Sequence, residues 1–107
     1  MGKNRDRLSI IASILEAAEL VSRKTRIMYA ANLSFKLLEK YLETVVQAGF
    51  VSVSDSNYVL TERGRDFLDK YRRFKERHSK AQEAIEELSS ERERLRLLCE
   101  KSAKQCV

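Results

Sequence analysis

Few residues in this chain could do chemistry, and their spacing decides of what kind. Cys99 and Cys106 are its two cysteines and His78 its one histidine. Seven positions along one helix amount to about 10 Å of rise, too far for a disulfide within the chain. One histidine cannot complete a Cys/His zinc set with these two cysteines, which read best as small buried hydrophobes. Gly2, Gly49 and Gly64 are the three glycines and make no phosphate-binding loop. No nucleophile has a histidine partner. The chain is therefore not expected to be an enzyme, to hold a metal or cofactor, or to take a small-molecule substrate. What remains is recognition chemistry. Lys36, Glu39, Lys40 and Glu43 fall at helical spacing, with Ser34 and Phe35 just before them. The lysines can pair with phosphates or guanine edges, whereas the glutamates repel phosphate unless they meet a cytosine amino group or pair with a lysine.

Composition agrees with an anionic partner. The net charge is +5, charged residues make up 35% of the 107 and apolar residues 43%, and proline is absent. That is one domain's worth of chain, mainly helical and too hydrophobic to be disordered. Nucleic acid is the commonest partner of a basic protein, although acidic proteins and anionic lipid also satisfy charge. No apolar run approaches the roughly 20 residues needed to span a bilayer, and the start MGKNRDRLS has no apolar signal-peptide core. A cytoplasmic, nucleoid-associated protein away from membranes is expected.

Elements that could position these side chains follow from periodicity. Leu8, Ile11, Ala12, Leu15 and Ala18, widened by Ile10 and Ile14, make a helical stripe from Arg5 to about Leu20. A short second helix is expected from near Thr25, as its cap, to a break at Asn32-Leu33, with Lys24 to Arg26 alternatively adding a short strand. Ser34 caps a third helix whose buried stripe is Leu37, Leu38, Tyr41, Leu42 and Val45, ended by Gly49. Residues 50–54 and 58–60 read as strands about a turn at Asp55-Ser56-Asn57. Two strands alone are marginal in water, so this hairpin must lie on the helices, as in a winged helix. Thr61 then caps a final helix that runs nearly to the end.

That final helix carries the clearest repeat. Alternate steps of four and three give Phe67, Tyr71, Phe74, His78, Ala81, Ile85, Leu88, Arg92, Leu95, Cys99, Ser102 and Cys106, mostly apolar, with Lys, Arg and Glu between them. Such a helix would extend roughly 66 Å at 1.5 Å per residue, more than so small a head can cover, which predicts a homodimer through a coiled coil. Residues 63–80 are mostly basic and 81–93 mostly acidic, so antiparallel pairing centred near Glu83 matches opposite charges. It would set Tyr71 near Leu95 and Phe67 near Cys99 of the partner copy. His78 and Arg92 fit as register-setting elements or as breaks. The expected division is a head at 1–66 and a dimerisation helix at 67–107.

The runs Lys24 to Ser34, Leu38 to Leu42, Gly49-Phe50 and Tyr58 to Leu68, above all Thr25-Arg26-Ile27-Met28-Tyr29 and Thr61-Glu62-Arg63-Gly64, resemble the small archaeal winged-helix DNA-binding proteins of Sulfolobus type over about residues 5–80. The resemblance implies a chromatin-associated dimer joined by an antiparallel coiled coil with a double-stranded-DNA-binding head at each end. In a winged helix the third helix enters the major groove. The expected DNA-facing set is then Ser34, Phe35, Lys36 and Lys40, with Arg5 and Arg7 (and Lys3) before the first helix, Lys24 and Arg26 before the second, and Asn57 and Tyr58 on the hairpin. The hairpin has no Lys or Arg, so backbone contacts are expected from it. Tyr29 and Tyr41 are expected to pack in the core and its rim. Arg72, Arg73, Lys75 and Arg77 read either as a solvated face or as a basic bridge along DNA. The expected function is an architectural, largely sequence-tolerant DNA binder. The alternatives are a sequence-specific transcriptional regulator and a protein-interaction module.

Overall fold

The computed structural model describes the backbone of residues 5–105 and the side chains of residues 5–100. Lys3 and Cys106 lie outside the described residues. The elements run α1 (Arg7–Leu20), α2 (Lys24–Ala31), α3 (Phe35–Gln47), β1 (Val51–Ser54), β2 (Asn57–Leu60) and α4 (Glu62–Gln105). This is the expected mainly helical class, a winged helix-turn-helix with a two-stranded hairpin and a long C-terminal helix. Two compact units emerge, residues 1–72 and 73–107.

In the first unit α1 is held at its start by Asp6, whose carboxylate accepts from the Ser9 N–H at 2.8 Å. It stabilises the first turn by about 1 kcal/mol relative to an alanine. Ile10, Ile11, Ala12, Ile14, Leu15 and Ala17 are all buried, so most apolar positions of α1 face a neighbour. Leu8 shares the face of Ile11, Ala12 and Leu15, as the stripe predicts, but in the first turn of the helix it is 45% exposed. The second helix begins one residue earlier than Thr25, with Arg23 in the cap position and no side-chain cap. Lys24 to Arg26 are helical, and the only strand-like pairing here is a single bridge between Arg23 and Asn57.

The turn between α2 and α3 is set by Asn32, which adopts φ 57°, ψ 51°. This left-handed geometry suits Asn better than any β-branched residue. The N–H groups of Asn32 and Leu33 return to the carbonyls of Tyr29 and Met28, both at 3.1 Å. Ser34 caps α3 by accepting from the Leu37 N–H at 3.2 Å. Leu38, Leu42 and Val45 are buried and Tyr41 half-buried, as the stripe predicts, but Leu37 is exposed because it falls about 100° from the centre of that stripe.

At the far end of α3, Gly49 takes φ 82°, and the N–H groups of Gly49 and Phe50 close onto Val46 and Val45. The hairpin pairs Val51 with Leu60 and Ser54 with Asn57. Its turn is only Asp55-Ser56, both at positive φ, the geometry that matches strand twist in two-residue hairpins. Asn57, expected in the turn, is the first residue of β2. Thr61 links hairpin to helix: its hydroxyl donates to the Gly49 carbonyl at 2.6 Å and accepts from the Gly64 N–H at 3.0 Å. Gly64 is required by contact, since a Cβ there would lie 2.2 Å from the Phe50 carbonyl oxygen.

The core of this unit joins α1, Ile27 and Ala31 of α2, Leu38, Leu42 and Val45 of α3, Val51 and Leu60 of the hairpin, and Leu68 of α4. Phe67 and Tyr71, expected in the intermolecular seam, are half-buried against this core, and Phe67 stacks on Phe50 at 4.7 Å between ring centroids.

In the second unit every described side chain from Arg73 to Glu100 is exposed. Its ion pairs lie along the helix itself: Lys80 with Glu76 at 4.0 Å, and Arg96 with Glu93 at 2.5 Å and with Glu100. Exposed pairs of this type contribute about 0.3–0.5 kcal/mol each. Phe74, Ile85, Leu88, Leu95, Leu97 and Leu98 are each half or more exposed.

Candidate nucleic-acid interface

The face of α3 away from Leu38, Leu42 and Val45 is built by helical spacing alone. Lys36, Lys40, Glu43 and Gln47 stand at successive steps of four, three and four, so they form one outward line, and all four are exposed. Ser34 and Phe35 are exposed at the N-terminal end of the same helix. Among the described residues no ion pair reaches Lys36, Lys40 or Glu43. The Lys40 ammonium sits 5.4 Å from the centre of the Tyr41 ring, a contact that leaves its charge toward solvent.

Glu39 lies to one side of this line and is not free. Its carboxylate is paired with the Lys24 ammonium, which also rests 5.1 Å over the Phe35 ring. Lys24, Phe35 and Glu39 therefore form one cluster joining α2 to α3, and Lys24 offers less charge to an outside anion than the sequence suggests. With Lys24 and Glu39 of the cluster, Leu42, Glu43, Val46, Gln47, Val53 and Tyr58 line an open groove of about 550 Å³ between α3 and the hairpin.

The remaining expected contacts are distributed unevenly. Arg7 and Arg26 are exposed. Arg5 is committed to the fold: its guanidinium donates to the carbonyls of Ala31 and Asn32 at 3.1 and 3.2 Å and to the Ser13 hydroxyl at 2.5 Å. A cation at the C-terminal end of α2 satisfies carbonyls that the helix leaves unpaired. Asn57 accepts from the Ser22 hydroxyl at 3.3 Å, and the Tyr58 N–H donates to the Ser22 carbonyl at 2.8 Å, so both positions anchor the hairpin to the loop after α1. Tyr58 is half-buried against the core.

Tyr29, expected in the core, is instead 74% exposed. It falls on the outer side of α2 with Thr25 and Arg26, because Ile27 and Ala31 turn the inner side to the core. The sequence offered a signal for this in the spacing of Tyr29 from those two residues. In the basic cluster, Arg72 turns to α1 and pairs with Glu19 at 3.2 Å and Glu16 at 3.5 Å. The hydrogen bond to Glu19 raises its pKa above the ordinary arginine value. Arg73, Lys75 and Arg77 are exposed.

Of the seam positions in the second unit, Phe74, His78, Ala81, Ile85, Leu88, Arg92, Leu95 and Cys99 are all exposed, and the rings of Phe74 and His78 lie 5.8 Å apart. Among the described residues no cluster of metal-ligating side chains occurs, and no helix is long and apolar enough to cross a membrane.

Residues 4–79 match the winged helix-turn-helix family, which covers the head and the start of α4. The chain belongs to that family. It is similar to two uncharacterized proteins of Methanocaldococcus jannaschii. MJ0290 is 39% identical over 67 residues, covering 62% of this chain and 32% of that protein. MJ0287 is 38% identical over 55 residues, covering 51% of this chain and 55% of that protein. The chain thus spans about a third of one relative and about half of the other. Among solved structures it resembles the crystal structure of Sso10a-2, a DNA-binding protein from Sulfolobus solfataricus. That likeness has a TM-score of 0.62 and 25% identity, and covers 78% of this chain and 96% of the other.

Proposed function

We propose that the protein binds double-stranded DNA as a homodimer and acts architecturally, with little dependence on sequence, in association with the nucleoid. The observation that carries this reading is the outward line of α3. It places two unpaired lysines, Lys36 and Lys40, on the helix that enters the major groove in helix-turn-helix proteins. Arg7 and Arg26 are exposed on the same unit, and Ser34 offers its hydroxyl and the first N–H groups of α3 to a phosphate. The structural likeness to the DNA-binding protein Sso10a-2 supports the same partner. The hairpin contributes through its backbone, because residues 50–60 include no Lys or Arg.

Homodimerisation is supported by the second unit. A helix whose every side chain from Arg73 to Glu100 is exposed gains little from its own ion pairs, and most of a helix's stability comes from burying an apolar face. Phe74, Ala81, Ile85, Leu88, Leu95 and Cys99 supply that face to a second copy, with His78 and Arg92 among them. Antiparallel pairing, which sets the basic stretch of one copy against the acidic stretch of the other, fits the charge pattern. Because Phe67 and Tyr71 already pack on the head, the exposed part of the seam starts at Phe74.

A salt titration of binding to unrelated duplexes tests the reading, with the mass of the free protein fixed by sedimentation. The architectural role requires similar affinities across sequences and a steep fall with salt. One duplex preferred by about a thousandfold would identify a sequence-specific regulator instead, and no binding at low salt would leave a protein-interaction module.

A further inference from the structure

The two glutamates of α3 have different fates. Glu39 is neutralised by Lys24 within the fold, whereas Glu43 has no hydrogen bond or ion pair among the described residues and stands in the same outward line as Lys36, Lys40 and Gln47. Each residue type in that line has a matching base edge: lysine with guanine O6 and N7, glutamate with the cytosine N4 amino group, and glutamine with adenine N6 and N7. A carboxylate in the middle of such a line would be repelled wherever phosphates approach it. It becomes favourable only where a donor from a base meets it in the major groove, and cytosine N4 suits it better than adenine N6, whose neighbouring N7 acceptor repels a carboxylate.

We propose that Glu43 is a specificity-determining residue, which accepts a hydrogen bond from a cytosine amino group in the major groove and penalises sites that lack one. The inference rests on the DNA-binding reading above and qualifies its tolerance of sequence: the preference that Glu43 adds is about tenfold, far below the roughly thousandfold preference that marks a sequence-specific regulator. The lysines hold the helix to any duplex, and Glu43 grades duplexes by whether cytosine lies beneath it. Glu39 does not share the role, because a lysine of α2 already compensates its charge.

The test uses two duplexes of equal length, one of alternating hypoxanthine and cytosine and one of alternating adenine and thymine. Hypoxanthine lacks the guanine N2 amino group, so the minor grooves present the same groups and only the major grooves differ. Affinities are measured at one salt concentration for the wild type, Glu43→Gln and Glu43→Ala, with circular dichroism checking that both variants keep the fold. Lys36 and Lys40 favour hypoxanthine O6 and N7 in all three proteins, so the quantity read is the change in the ratio of the two affinities. The expected result is a wild-type preference for the cytosine duplex that falls about tenfold in both variants, mainly through tighter binding to the adenine–thymine duplex. Equal tightening on both duplexes, or no change, leaves the ratio constant and overturns the inference while the DNA-binding reading stands. A wild type that binds neither duplex overturns both.

Discussion

α3 and the exposed stretch of α4 carry the same kind of signal, an apolar stripe on a charged helix, and the two stripes end in opposite environments. Leu38 and Val45 of α3 are fully buried and Leu42 nearly so, whereas Ile85, Leu88 and Leu95 of α4 are 55%, 63% and 64% exposed. The stripe on α3 is covered from within residues 1–72, in a core shared with α1, α2, the hairpin and Leu68 of α4. Beyond Arg72 the described part of the stripe on α4 stays exposed. Periodicity reports that a helix has a face to bury, and it is silent on whether the cover comes from the same chain.

Leu88→Ala should separate the two environments by the widest margin. In a monomer Leu88→Ala would change stability by less than about 0.5 kcal/mol, as at most surface sites. In a twofold dimer each copy loses a buried leucine, and the loss of about 1.5–3 kcal/mol per copy should weaken association by at least a hundredfold in sedimentation equilibrium while the head stays folded. Next in size is Leu38→Ala, which should cost about 2–5 kcal/mol and lower the melting temperature at every protein concentration. A melting shift that vanished on raising the concentration would mean that the head, too, is completed by a second copy.

Gly64→Ala sharpens the boundary between the two regions, since it adds a methyl group against the Phe50 carbonyl at the start of α4. The cost should be about 1–3 kcal/mol in denaturant unfolding, as for other overpacked sites, and dimerisation through the later seam should be unaffected. The smallest effect is expected from Asp6→Ala, which removes the α1 cap and should cost about 1 kcal/mol, read from the same unfolding curves. A cost near zero would show that water replaces the cap without loss.

Much of the head was legible in the sequence because its signals are local. Ser34 and Thr61 are side chains that satisfy helix N–H groups a few residues away, Gly49 offers a left-handed stop, and alternation marks the strands. Asp6 belongs to the same class of signal and lies just inside the expected start of the first helix. The candidate interface was only half legible. The outward line of α3 follows from its spacing, but that Arg5 caps α2, that Asn57 ties β2 to Ser22, and that Lys24 neutralises Glu39 depend on pairs separated by at least fifteen residues. No local pattern encodes such pairs.

The order of helices and strands, most of their caps and turns, and the apolar stripe along α4 can be read from the residues alone, since each depends on groups within one or two helical turns. Which charges of the head remain available to a partner, where the stripe on α4 passes from Phe67 and Tyr71 against the core to exposed residues, and why position 64 must be glycine emerge only in the folded chain. Those outcomes turn on contacts between distant segments, where a few ångströms separate a paired carboxylate from a free one and a backbone carbonyl from a Cβ that would collide with it.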